Sequence, residues 1–420
     1  MHKNILFLSL ACAAGLNAQI DPGLRKGPSS TGSPLRGLSA SELAFFEKGK
    51  VAFDEIDGVA EGLGPRFNLD GCGGCHSQPR LGGTSPPINP QFAVATKMGG
   101  LNRIPSFLKD NGPALVARRR RNPDGSPDGG VHNLFVITGR TDAPANCRVQ
   151  QPDFSNMNNF SLRIPTPTFG LGLVESIRDS ALRANLTANG DRRRLLGIGG
   201  RFNTNGSDGT ITRFGWKAQN KSLGIFAGEA YNVEVGVTND LFPQDREEDP
   251  ACNQTGGPES ASDLETGEKS DLELFTYFMR FLAPPQPAPA SPSSDLGRAV
   301  FESTGCAMCH TPTLKSGASA FAALSNKDVP LYSDLALHRM GQGLADGINQ
   351  GSALGDEFRT APLWGLGERI FFLHDGRSRD LVETIRMHDS PGSEAHQVIR
   401  LFEALSPDQK RDLLVFLRSL

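Results

Sequence analysis

The clearest periodicity in the chain lies at its end. Leu413, Leu417 and Leu420, with Leu414 and Phe416 beside them, share a face at helical spacing. Ser406-Pro407-Asp408-Gln409 ahead of them supplies a cap residue, a proline suited to the first turn and a Gln three residues after the Ser. A final helix with an inward apolar face is predicted. Leu381, Ile385 and His388 fall at i, i+4 and i+7, so an imidazole continues an apolar face while Met387 is rotated about 100° away from it. Leu171 and Glu175 share a mainly apolar helical face, whereas the alternation of Tyr231, Val233, Val235 and Val237 predicts a strand with Glu234 on its other side. From about Leu81 to Thr255 the apolar runs are short and punctuated by Gly, Pro and Asn, and no topology follows.

A second set of patterns concerns organisation. Met1-His2-Lys3-Asn4 and the apolar stretch Ile5 to Leu16 have the layout of a signal peptide, residues 1–18, cleaved before Gln19. Cys12 is a poorer candidate as a lipid anchor, because Ser9 stands where such sites carry an aliphatic residue. No other stretch is long and apolar enough for a membrane span, so the mature protein is expected in an oxidising compartment, most simply a bacterial periplasm. Five prolines between Pro284 and Pro292 mark a stiff linker, 284–293. Around it, Gly49-Lys50-Val51-Ala52-Phe53 and Gly297-Arg298-Ala299-Val300-Phe301 repeat one another, each ahead of a cysteine cluster. Two related modules are implied, 39–283 and 294–420. Phe53 lies nineteen residues before its cysteine cluster and Phe301 only five, so the first module carries an insertion. The 48 Gly and 29 Pro residues among 420 argue for long loops. A net charge of −3 gives no field for nucleic acid, and the Arg118 to Arg121 run reads as a solvated loop.

The chemistry is carried by Cys72-Gly73-Gly74-Cys75-His76 and Cys306-Ala307-Met308-Cys309-His310. In Cys-x-x-Cys-His, two thiols can bond the vinyl carbons of one haem while the histidine ligates its iron. A zinc site is the next reading, but the pairs stand about 230 residues apart and each has its own histidine. A dithiol redox motif competes, although it has no need of the histidine. Cys147 and Cys252 then remain as an even pair, and a disulfide is their simplest use.

These motifs, with Gly62-Leu63-Gly64-Pro65-Arg66-Phe67-Asn68, Gly170-Leu171-Gly172-Leu173-Val174-Glu175 and Arg213-Phe214-Gly215-Trp216-Lys217-Ala218, resemble the bacterial di-haem oxidoreductase family. After the linker, Ser333 to Gly341, Arg359 to Gly367 and Leu373-His374-Asp375-Gly376-Arg377-Ser378 keep its order. The family is described as peroxidases or thiol oxidoreductases, similar in the second module to di-haem cytochrome c peroxidases. The resemblance puts His388 at the position of the distal ligand and gives His374 a role in orienting a loop or a propionate.

The expected protein is mainly α, two c-type cytochrome domains with long loops, the first enlarged by a loop-rich insertion. Two covalent c-type haems are anchored by Cys72, Cys75, Cys306 and Cys309, with His76 and His310 on the irons and His388 closing the second. An open first haem needs an acid–base group, for which Glu175 and Glu234 are the candidates, each also readable as an ordinary carboxylate. His338 and Met340 could reach either haem or neither. Trp216 and Trp364 could couple the haems or serve as core aromatics. The expected reaction is reduction of a small oxidant such as hydrogen peroxide, with a small redox protein as electron partner. A pure electron carrier, or an oxidase of a sulfur compound or a protein side chain, are the rivals. Scattered carboxylates leave calcium between the domains undecided.

Overall fold

Two helix pairs organise the chain, each closed by a serine cap. Ser39 and Glu42 form a capping box on helix Ala40–Phe53, which packs against Asp271–Phe281, capped by Ser270. Ser291 caps Pro292–Thr304, which packs against Pro407–Ser419, where Ser406 and Gln409 form the expected capping box. At each contact a glycine lets the backbones approach. A Cβ on Gly49 would collide with the Leu274 carbonyl, and one on Gly297 with the Asp412 carbonyl. Four residues further on, Phe53 meets Phe278 at 4.9 Å and Phe301 meets Phe416 at 5.4 Å between ring centroids. The sequence repeat is therefore a repeated packing device, and Leu274/Phe278 answers to Asp412/Phe416. Leu413, Leu414, Phe416, Leu417 and Leu420 are all buried, as their spacing predicts.

This computed structural model describes residues 19–25, 31–244, 249–252, 260–262 and 269–420. The predicted signal peptide, 1–18, lies outside the described residues. Helix makes up 33% of the described residues and strand 12%. Helix is thus the more abundant regular class, but most of the described residues are turn and loop, so mainly α overstates it. The glycines and prolines that interrupt every long run are the reason.

The middle region contains short antiparallel ladders. Val116–Arg119 lies between Val131–His132 and Phe160–Arg163, Arg66–Phe67 pairs with Phe135–Val136, and Leu337–Arg339 pairs with Glu357–Arg359. Arg118 therefore belongs to a strand, not to the solvated loop that its charge run suggests. The segment read as a strand around Glu234 is instead a π-helical turn, Tyr231–Val235. Helix Leu223–Ala230, capped by Ser222, runs straight into it, and Gly236 at φ 95° ends it. The Cys147–Cys252 disulfide is formed across 105 residues.

The proline-rich segment is docked rather than free. Ala288 N donates to the Ser419 carbonyl at 2.7 Å, and Arg25 Nη1 to that of Gln286 at 3.0 Å. The next helix starts at Pro292, two residues before the expected boundary. One apolar core includes Phe46 and Phe278 from before this segment and Leu331 and Trp364 from after it, while Phe301, Phe372, Leu381 and Phe416 belong to a second. Asp21 takes two hydrogen bonds from Arg418 and one from Leu381 N, tying the last helix to the helix Leu381–Arg386. Among the described residues no helix is long and apolar enough to cross a membrane.

Candidate functional site

Each Cys-x-x-Cys-His motif forms one helical turn at the wall of a cavity. Cys72–Cys75 is such a turn, with His76 closing it. Cys306–Met308 follows Gly305, whose left-handed φ of 101° turns the chain out of the preceding helix. His76 Nδ1 lies 2.9 Å from the Gly83 carbonyl, His310 Nδ1 3.0 Å from that of Tyr332, and His388 Nδ1 2.8 Å from that of Thr384. A carbonyl only accepts, so Nδ1 carries the proton in all three and Nε2 keeps its lone pair. Outer hydrogen bonds of this kind orient metal-binding imidazoles. Burial pushes His76 and His310 down to about 4 and lowers His388, which keeps all three neutral at pH 7.

The first cavity encloses about 1070 Å³ of atom-free space counted to its mouth. Cys72, Cys75, His76, Phe53, Phe275 and Ile164 line it, with Arg118, Arg163, Gln219, Glu229 and Glu234 among its polar groups. The second, about 1420 Å³, is lined by Cys306, Cys309, His310, His388, Leu381 and Ile385; the helix Leu381–Arg386 ends two residues before His388, and the turn that follows brings His388 to the same space as His310. Arg369 also lines the second and has no carboxylate partner among the described residues, which suits an anionic group such as a propionate. Apolar walls, two thiols at the edge and a neutral imidazole with a free lone pair fit a haem in both places.

The same geometry weighs against the other cysteine readings. Burial pushes the Cys72, Cys75 and Cys306 thiols up, Cys306 to about 12, whereas a dithiol redox site needs a thiol shifted down. The two cysteine pairs stand in separate cavities, and among the described residues no three His, Cys, Asp or Glu converge as a metal cage.

The two carboxylate candidates part company. Glu175 is not on the wall of either cavity. One of its oxygens accepts from Leu223 N at 2.8 Å and the other from Arg280 Nε at 3.1 Å, so it is spent on a helix start and an ion pair. Glu234 lines the first cavity, and burial, reinforced by Glu229 and opposed by Arg118, pushes it up to about 7. His338 lines the second cavity, but its Nδ1 is 2.7 Å from Glu394 and its Nε2 3.1 Å from Asp334. With both nitrogens on carboxylates it has no lone pair for iron. Met340 and His374 line the second cavity as well, and His374 stacks on Phe358 at 4.3 Å. Trp216 lines both cavities, its Nε1 held by the Ile164 carbonyl at 2.9 Å, while Trp364 is a buried core residue on neither wall. Arg118 and Gln219 were not legible as site residues; only the motif from Arg213 to Ala218, next to Gln219, hinted at their neighbourhood.

A family model described as "Di-haem oxidoreductase, putative peroxidase" matches residues 122–420. The chain belongs to the di-haem oxidoreductase family. Membership of that family implies two haems and oxidoreductase chemistry. The matched span includes the second Cys-x-x-Cys-His motif and begins after the first. No curated protein matches the chain. Among solved structures it is similar to hydrazine synthase of Kuenenia stuttgartiensis, at 20% identity and a TM-score of 0.25, covering 37% of this chain and 58% of that one. It is also similar to a MauG-like protein associated with microbial copper homeostasis, at 17% identity and a TM-score of 0.30, covering 60% of this chain and 89% of that one. The diheme peroxidase BthA of Burkholderia thailandensis matches at 13% identity and a TM-score of 0.31, covering 73% and 94%.

Proposed function

We propose that this di-haem oxidoreductase is a periplasmic enzyme that reduces a peroxide at its first cavity with electrons relayed through its second. In this reading 39–283 and 294–420 are c-type cytochrome modules joined by 284–293. Cys72 and Cys75 would anchor one haem and His76 would ligate its iron, while Cys306 and Cys309 would anchor the other, with His310 and His388 as the residues that would ligate its iron. The observation that carries the reading is the asymmetry of the cavities. The second offers a second neutral imidazole, whereas the first offers Glu234, Arg118 and Gln219. Met279 also lines the first cavity, but it follows Phe278 as Leu417 follows Phe416, and Leu417 lines the second cavity as plain packing.

The haems, when bound, supply electron storage and the iron at which an oxygen–oxygen bond is cleaved. Glu234 supplies the proton movement: its carboxylate takes the proton from the inner oxygen of hydrogen peroxide and returns it to the outer one. Two electrons and two protons convert each peroxide to two waters. Arg118 and Gln219 offer hydrogen-bond donors to the departing oxygen. Trp216 lines both cavities and is the path proposed for electrons between them. A small redox protein supplies those electrons, and the Cys147–Cys252 disulfide suits an oxidising compartment. A pure carrier with both irons closed leaves no task for an acidic group pushed up to about 7 beside an arginine.

Steady-state peroxide reduction with a reduced cytochrome or dye donor tests this. Because Glu234 must be ionised to accept a proton, kcat/KM is expected to fall as the pH drops below about 7. A protein carrying both haems that shows no peroxide-dependent donor oxidation contradicts the reading.

A further inference from the structure

Between the two cavities lies a buried charge cluster that the proposed reaction does not use. Asp346, fully buried, pairs with Arg163 Nη2 at 2.5 Å and with Lys217 Nζ at 2.9 Å. Lys217 is equally buried, and its two remaining ammonium hydrogens go to the Leu354 and Glu357 carbonyls, both at 2.8 Å. Its nitrogen also stands 4.1 Å from the centre of the Phe358 ring. Arg163 lines the first cavity, Phe358 lines the second, and Trp216, the neighbour of Lys217 in sequence, lines both. Every donor of the ammonium is occupied, so Lys217 has none left for a substrate.

We infer that Lys217 is a positioning residue that sets the reduction potentials of both haems at once from a fixed site between them. The inference rests on the proposed seating of the haems and deepens it. Arg163, Lys217 and Asp346 together carry one net positive charge. A buried charge is poorly screened, so it acts on both neighbouring sites. Each haem gains an electron on reduction, and a nearby positive charge favours that gain. Burial lowers Lys217 to about 8, against the pull of Asp346, so the ammonium is charged at pH 7. An apolar side chain of similar length could fill this space without the desolvation that a buried ammonium costs.

Spectroelectrochemical titration of the two-haem protein tests the inference. Lys217→Met should shift both midpoints downward, Lys217→Arg should restore them, and Asp346→Asn should shift both upward. A shift confined to one haem, or none, overturns the inference. If Lys217→Met does not accumulate as folded protein, the Asp346→Asn titration decides alone, with a rise at both haems in favour and anything else against. A protein whose potentials move as expected but which turns over no peroxide contradicts only the peroxidase reading; peroxide turnover with unmoved potentials contradicts only this one.

Discussion

Glu234→Gln is expected to slow peroxide turnover by about 10²–10⁴-fold, the usual contribution of a positioned acid–base group. The substitution keeps the size and shape of the side chain in the π-helical turn Tyr231–Val235, so haem content and visible spectra should stay as in the parent. The loss should fall on kcat, because the proton transfer belongs to bond cleavage and not to peroxide binding. The fall in kcat/KM below pH 7 should also vanish, since the group that produces it is gone. Parallel assay of Glu175→Gln provides the contrast, because Glu175 is held by Leu223 N and Arg280 away from the cavity wall. Unchanged turnover in Glu234→Gln contradicts the assignment.

Asp346→Ala is expected to destabilise the fold by about 3–5 kcal/mol, the range found when one member of a buried ion pair is removed. Asp346 is fully buried and answers both Arg163 and Lys217, so its loss leaves two cations without their carboxylate. It also accepts from Ile348 N at 2.9 Å, which fixes the turn that carries it. Urea unfolding of the parent and variant measures the difference. A loss below about 1 kcal/mol, as for a surface pair, contradicts the account of the cluster.

What the sequence disclosed follows the range over which each signal acts. Cys72, Cys75, His76 and their counterparts at Cys306 sit within five residues, so their joint chemistry is local and legible. The capping box at Ser406 is equally local and forms as read, whereas the stripe Leu381, Ile385, His388 lines one cavity although its helix ends at Arg386 and His388 sits in the turn beyond. The errors arose where a distant partner decides. Glu175 does lie on an apolar helix, but Arg280, 105 residues away, claims its carboxylate. Alternation around Glu234 mimicked a strand because a π-turn also buries Tyr231 and Val235 while leaving Glu234 toward the cavity. Arg118 looked like part of a solvated run, yet the ladder with Phe160–Arg163 turns it to the cavity wall. Lys217 and Asp346, far apart in sequence, gave no sign of each other.

The central claim is that the two haems differ, one iron open and one closed by His388. Low-temperature electron paramagnetic resonance of the ferric protein, with intact mass confirming two covalently attached haems, tests it most directly. The account predicts one high-spin and one low-spin signal in the parent, and two high-spin signals in His388→Ala. Two low-spin signals in the parent, or a low-spin signal that survives in His388→Ala, would contradict it.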